Sequence, residues 1–436
     1  MTAALPQAFV AEMAEQLGAE LPAFLRSYEE PARRGLRLNP LKPLPDTAMA
    51  EGLGARVPWA ADGFLLSAES RAGAHPLHEA GAWYLQEPCA MLPAEVLAVR
   101  PGETVLDLCS APGGKATQLG AAMRGQGLLV CNEPVPSRAQ VLSRNIERMG
   151  IVNALVVSAM PDALAARWAE GFDAVLCDAP CSGEGMFRRV PESRAEWTPA
   201  SPAGCAARQA EILDAAARLV RPGGRLVYAT CTFNRTENAD TVAAFLRRHP
   251  DYRAEAFSLP GIDAPEGQFT CWPHRLPGEG QFCALMRRDG EGTSALRRNP
   301  LPAPDRMARE TLAAAVPDAP RDIGVFAGTL VAAPALPDLT GLRVLRCGLH
   351  LGAMKGKVFQ PDHAWCVSAL PPALPRVPLT EEEAYSYLAG EALPVETGSG
   401  LVLPAFGGLA LGLGKISGGL MKNHYPKGLR RALRHN

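Results

Sequence analysis

The chain lacks the features that would mark a secreted, membrane-embedded or metal-stapled protein. It has no apolar run of about 18 residues, the length a spanning helix requires, and the apolar stretch 401–413 is too short and too rich in glycine to serve. Its first residues contain no basic segment followed by an apolar one, so no signal peptide is expected. Eleven cysteines in 436 residues are too few for a disulfide scaffold. No Cys-x-x-Cys pair occurs, and the short-spaced pair Cys177/Cys181 has no histidine nearby. No metal site is therefore expected, and free thiols in a reducing cytoplasm are the simple reading. Charge of one sign is also missing. Lys and Arg number 44 against 45 Asp and Glu, a net −1, so the molecule as a whole is not a basic nucleic-acid binder.

What is present is ample material for cores. Apolar residues make up 47% and charged residues 20% of a length that suggests two or three domains. Residues 1–100 open with Phe9, Met13, Leu17 and Leu21 at helical spacing, followed by extended segments at 35–39 and 63–66. From Pro101 strand and helix alternate. Strands are expected at 104–108, 127–131, 154–157, 173–177, 225–229 and 281–287. Helices are expected at 116–123, 136–149, 203–220 and 237–248. Such alternation predicts βαβ units in a parallel sheet covered on both faces, here assigned to 101–289. Gly223-Gly224 reads as a tight turn before the fifth strand. Residues 290–320 read as a linker with room for one helix. Residues 321–436 read as a small α+β module, with a capping box at Thr380 and Glu383. Its end is locally basic: from Lys415 onward, three lysines and three arginines meet no acid, giving +6. Such a tail is either a solvated end or a phosphate-binding patch.

The chemistry gathers where strands end. Asp107-Leu-Cys109-Ser110-Ala111-Pro112-Gly113-Gly114-Lys115 runs from a strand through a glycine loop into a helix. Backbone N–H groups at such a turn can approach a polar ligand. The loop is not Gly-x-Gly-x-x-Gly, and no Ser or Thr follows Gly114-Lys115, so dinucleotide and Walker readings are weak. Glu133, at the end of the second strand, can accept both hydroxyls of an adenosine ribose, although alone it also suits a helix start. Together the loop and the acid fit S-adenosylmethionine. Asp178-Ala-Pro-Cys181 and Thr230-Cys231-Thr232 each follow an apolar strand. If those strands are neighbours, both thiols reach one cleft at the carboxyl end of the sheet.

The segments 107–115, 178–183 and 229–233 resemble the Nol/Nop/Sun family of RNA cytosine-5 methyltransferases. Segments 5–9, 35–39, 86–88, 185–188, 355–357 and 422–430 resemble its RsmF-type branch, which acts on 16S ribosomal RNA. The resemblance implies a Rossmann-like S-adenosylmethionine-dependent methyltransferase sheet flanked by an N-terminal α+β RNA-binding extension and a C-terminal PUA-like module. It implies Cys231 as nucleophile at cytosine carbon 6, Cys181 as the cysteine that assists release, and Asp178 at the ring edge. Cys109 to Lys115, Glu133 and Asp178 match cofactor-contacting positions. Met160 stands where the family often offers a polar or acidic residue toward the adenine, and it can pack on the ring face. Cys89 stands where the family often has serine. Arg188 and Arg189 are candidates for holding phosphates flanking the flipped base, or are solvated loop residues. Lys415, Lys422, Lys427 and Arg430, with Lys355 and Lys357, are candidates for gripping RNA. The expected partner is ribosomal RNA or the small subunit, with tRNA or 23S rRNA as alternative substrates. The expected protein is a cytoplasmic monomer, with no membrane partner and no metal.

Two other classes remain open at this point. A methyltransferase of proteins or small molecules shares the cofactor loop but needs no pair of strand-end cysteines. A catalytically idle RNA-binding assembly factor would tolerate the loss of both.

Overall fold

The computed structural model describes residues 4–44 and 53–430. Its centre is a nine-stranded sheet. The strands in chain order are β1 (Thr104–Asp107), β2 (Leu128–Asn132), β3 (Ala154–Ser158), β4 (Phe172–Asp178), β5 (Val220–Thr230), β6 (Tyr252–Ala254), β7 (Gln268–Cys271), β8 (Gln281–Arg288) and β9 (Arg343–Cys347). Five of them are parallel, in the order β3-β2-β1-β4-β5. Their alternating apolar residues feed two cores. Val105, Leu129, Val156 and Leu176 face helices α1 (Gly114–Met123) and α2 (Pro136–Arg148). Leu106, Val130, Leu155 and Val175 face α3 (Pro161–Arg167), α4 (Ser201–Leu219) and α5 (Ala239–Arg248). Period-2 alternation in strands buried on both faces produces this two-sided pattern.

Three expectations need correction. The sheet is not wholly parallel: β8 runs antiparallel beside β5, and β6 and β7 pair with β8 in the same sense. Gly223-Gly224 does not precede the fifth strand but lies within it, where the register with β4 jumps and Gly223 takes φ +75°. The segment beginning at 321 is not one module. Its strand β9 pairs antiparallel with β3 and closes the far edge of the nine-stranded sheet. The helix Arg306–Ala315, inside the span read as a linker, packs Leu312 against Leu330, Leu349 and Leu351 of a four-stranded sheet that ends at Pro361.

The last unit, from Arg376, is a six-stranded sheet with the helix Glu381–Ala389. The Thr380/Glu383 capping box forms as expected. Ala80 of the N-terminal region joins this unit's core.

At the other end, the helix Gln7–Leu17 buries Phe9, Met13 and Leu17, as its spacing implies, while Leu21 begins a second helix. The aromatic cluster around Phe9 and Phe24 takes in Phe187 and Phe233, each a few residues beyond one of the two cysteines. Arg37 is buried and donates to Gln86 Oε1 (3.1 Å), the Gly114 carbonyl (3.2 Å) and Thr117 Oγ1 (2.9 Å). The N-terminal extension is thus tied to both the cysteine loops and the start of α1. Among the described residues no helix is long and apolar enough to cross a membrane.

Candidate active site

The sheet brings its motifs to one rim. Asp107 on β1 is level with Cys131 on β2 and Leu176 on β4, and Asp178 is level with Ala229 on β5. The carboxyl ends therefore set residues 108–113, Glu133, Met160, Asp178 and Cys231 along one rim of the sheet. The buried Asn132 amide fastens this rim: Nδ2 donates to the carbonyls of Leu108 (3.1 Å) and Ala159 (3.0 Å), and Oδ1 accepts from the Ala159 N–H.

On the cofactor side, Gly113 turns the chain into α1 with φ +113°, a conformation that excludes a β-carbon. The helix start that follows has no side-chain cap, and its first N–H groups lack partners within the helix. Asp107 is buried beneath the loop with neither carboxylate oxygen hydrogen-bonded. Burial, with the charge of Asp178 adding, pushes it up to about 7. A left-handed glycine turn, free helix N–H groups and an unpartnered acid fit a polar cofactor. Glu133 is buried, with Oε1 accepting from the Val135 N–H (2.9 Å) and Oε2 lying 3.4 Å from Arg138. Glu133 stands at the rim, two residues before Val135, the N-cap of α2, so it is not an acid of that helix's first turn. Met160 is the residue just before α3 and is 66% exposed.

Lys115 reaches from α1 across to Asp178, Nζ to Oδ2 at 2.7 Å. Burial opposes its charge, but Asp178, through charge and hydrogen bond, outweighs burial and raises it. The sequence places Lys115 in the cofactor loop; its pairing with Asp178 depends on β1 and β4 being neighbours.

The two cysteines meet. Cys181 Sγ lies 3.3 Å from Cys231 Sγ and accepts the Cys231 N–H at 3.3 Å. The hydrogen bond to Cys231, then burial, hold the Cys181 thiol well above the usual range. Cys181 therefore keeps its proton next to the sulfur of Cys231. Gly185 is required here, because a β-carbon would lie 2.8 Å from the Cys231 carbonyl oxygen.

The RNA-binding candidates divide. Arg188 is corrected. Its side chain is 5% exposed and clamps Glu279 with two bonds (2.7 and 2.9 Å), while also donating to the carbonyls of Ser27 and Gly278. Four of its five N–H donors are thus taken and the group is buried, so it is a structural arginine and not an exposed phosphate ligand. Arg189 is exposed. Lys415 and Lys422 are directly paired across neighbouring strands, and burial, with the charges of Lys415, Lys355 and Lys422 adding, lowers the pKa of His424. Lys357, Lys427 and Arg430 are exposed on the same C-terminal units. Arg431 and Arg434, which complete the basic tail, lie outside the described residues.

The strand order β3-β2-β1-β4-β5-β8, with a glycine turn after β1, defines an S-adenosylmethionine-dependent methyltransferase. Known proteins narrow the class. The family described as "16S rRNA methyltransferase RsmB/F" matches residues 94–287. Three further descriptions, the RsmF N-terminal domain, its first C-terminal domain and its PUA domain, match 5–88, 308–368 and 375–431. The ribosomal RNA small subunit methyltransferase F of Cronobacter sakazakii is 33% identical over 98% of this chain and 96% of its own. That of Escherichia coli O7:K1 is 32% identical over 99% and 97%. A solved methyltransferase homologue from Pyrococcus horikoshii, 27% identical, superposes with a TM-score of 0.57 over 65% of this chain and 95% of that one. The chain belongs to the ribosomal RNA small subunit methyltransferase F family.

Proposed function

We propose that this protein methylates carbon 5 of a cytosine in 16S ribosomal RNA through a covalent bond between Cys231 and cytosine carbon 6. The observation that carries this reading is the sulfur pair at 3.3 Å on adjacent strand ends. A methyltransferase acting on an already nucleophilic atom has no use for it. Residues 109–115, Glu133 and Met160 would hold S-adenosylmethionine, which supplies the methyl group when bound.

The remaining steps belong to the chain. Cytosine carbon 5 is a poor nucleophile. Addition of the Cys231 sulfur at carbon 6 moves electron density onto carbon 5 and makes it one. The Lys115 ammonium supplies positive charge on that side of the sulfur. Asp178, fixed by Lys115 and reached by Gln281 Nε2 at 3.4 Å, stands where it can hold the ring edge and stabilise the adduct. After methyl transfer a water molecule takes the carbon 5 proton, the double bond between carbons 5 and 6 re-forms, and the carbon–sulfur electrons return to Cys231. Cys181, in contact with Cys231, is the group placed to assist that release. The reading includes Lys355, Lys415, Lys422, Lys427 and Arg430 as the RNA grip, with Arg189 near the flipped base, in a cytoplasmic monomer acting on rRNA or the assembled subunit.

The test is to map 5-methylcytosine in 16S rRNA from cells with and without the protein. A cytosine that loses its methyl group only in the knockout, and regains it with the wild-type chain but not Cys231→Ala, supports the reading. An unchanged 5-methylcytosine map refutes it.

A further inference from the structure

The two cysteine loops hold each other through acids that the chemistry above does not use. Glu184, in the Cys181 loop, accepts the Phe233 N–H of the Cys231 loop at 3.1 Å. In the opposite direction Glu237, beyond Cys231, accepts the Ser182 N–H at 3.0 Å and the Ser182 hydroxyl, and is braced by Gln209 Nε2 at 2.8 Å. Between the acids, the residues directly following each cysteine join: Ser182 Oγ and Thr232 Oγ1 lie 2.8 Å apart. The Gly185 N–H adds a bond to the Cys231 carbonyl at 2.9 Å. Both carboxyls are fully buried.

Burying two acids is costly, and closing two loops does not require it. Backbone bonds and the surrounding aromatic cluster would hold them. What carboxyls add is direction: each fixes a specific N–H close to a cysteine, and each sits on the loop opposite the one it grips. The titratable groups facing the pair are Glu12 from the first helix, Tyr28 from the second, Cys181, Cys205 on α4 and Tyr228 on β5. Burial, with Glu12 and Glu237 adding and the Thr232 hydroxyl opposing, pushes Glu184 up to about 7. Glu184 is thus more readily protonated than an ordinary carboxylate, and its neutral form relieves repulsion with Glu237.

We propose that Glu184 and Glu237 form a reciprocal carboxyl clamp, two positioning residues that fix the separation of the Cys181 and Cys231 sulfurs and so time the release of the RNA adduct against its formation. The catalytic consequence rests on the cytosine-5 reading; the sulfur geometry does not. With the clamp loosened, Cys231 still attacks, but Cys181 no longer stands in contact when the bond must break.

The test reads the sulfurs first. Diamide, a diazene oxidant, takes one hydrogen from each of two thiols to become a hydrazine, and the sulfurs join. Wild type, Glu184→Ala, Glu184→Gln and Glu237→Ala are treated with diamide, and the Cys181–Cys231 linked peptide is followed by mass spectrometry. S-adenosylmethionine affinity serves as the check of folding. Both alanine variants are expected to slow this disulfide on the order of tenfold or more. Glu184→Gln, which keeps an acceptor for the Phe233 N–H, recovers most of the rate. On target RNA the alanine variants lower kcat on the order of 10–100-fold, leave KM for S-adenosylmethionine near wild type and accumulate covalent complex. Should an alanine variant fail to fold, Ser182→Ala and Thr232→Val, which remove the central hydroxyl pair at similar volume, carry the same measurement. Disulfide formation at the wild-type rate in the folded variants overturns the proposal. Slowed disulfide formation in the variants, with no cytosine methylation by wild type, upholds the clamp and removes the cytosine-5 reading instead.

Discussion

Replacing Arg188 by alanine separates a structural arginine from an RNA-binding one. The substitution removes both bonds to Glu279 and the donors to Ser27 and Gly278. Glu279, 2% exposed, is left with the Arg33 N–H at 2.6 Å on Oε1 and no cation. Breaking a buried pair by removing one partner costs about 3–5 kcal/mol, mostly the uncompensated charge left behind. Solvent screening gives little relief at this depth. Chemical denaturation of the Arg188→Ala variant should show a loss of that size in the transition that includes the catalytic unit. The double variant Arg188→Met, Glu279→Leu should recover most of it, because no isolated charge remains. Salt-dependent RNA affinity of the folded fraction should stay at wild type. Full stability in Arg188→Ala, combined with weakened RNA binding and a shallower salt slope, would refute the reasoning and return Arg188 to the phosphate-binding set.

Glu133→Ala should weaken S-adenosylmethionine binding by about 1.5–3 kcal/mol, the worth of hydrogen bonds to a charged group; unchanged affinity by calorimetry on folded protein would remove Glu133 from the ribose. Deleting residues from 375 onward should leave cofactor affinity intact and remove salt-sensitive RNA affinity, because Lys415 and Lys422 go while β9 stays; an equal salt slope in the shortened protein would count against the basic patch. Lys42 is buried, with Nζ on the Ala80 and Arg148 carbonyls at 2.8 and 2.7 Å, and burial, with Arg148 adding, lowers it to about 7. Its charged form is penalised in the fold, so its cost to stability is absent above about pH 10.5, grows as pH falls, and is complete below about pH 7. Lys42→Met should therefore gain stability relative to wild type as pH is lowered through that window, and a pH-independent difference would contradict the assignment.

The parallel core was legible because its strands are continuous apolar runs with helical periodicity between them. The strands, from Thr104–Asp107 to Val220–Thr230, lie where that pattern puts them. The cysteine pair was legible because each cysteine directly follows such a run. Partnership was not. Nothing local in Arg343–Cys347 says that it will pair with β3, nearly 200 residues earlier, rather than with its own neighbours. Gln281–Arg288 reads as a strand, but its direction depends on the hairpin-like return through β7. Arg188 lies in a polar loop, and only the tertiary position of Glu279 buries it. Glu184 and Glu237 look like solvated loop acids for the same reason. Their significance appears once the two loops are seen to face each other across β4 and β5.

The central claim is that Cys231 forms the bond to RNA and Cys181 helps break it. Both alanine variants are incubated with 16S rRNA and S-adenosylmethionine, denatured and run on a gel. The account predicts no adduct and no methylation with Cys231→Ala. With Cys181→Ala, which retains the attacking sulfur and loses the partner 3.3 Å away, it predicts a covalent protein–RNA complex stable to denaturation. An adduct with Cys231→Ala and none with Cys181→Ala would reverse the roles, and full methylation by both variants without adduct would contradict the mechanism altogether.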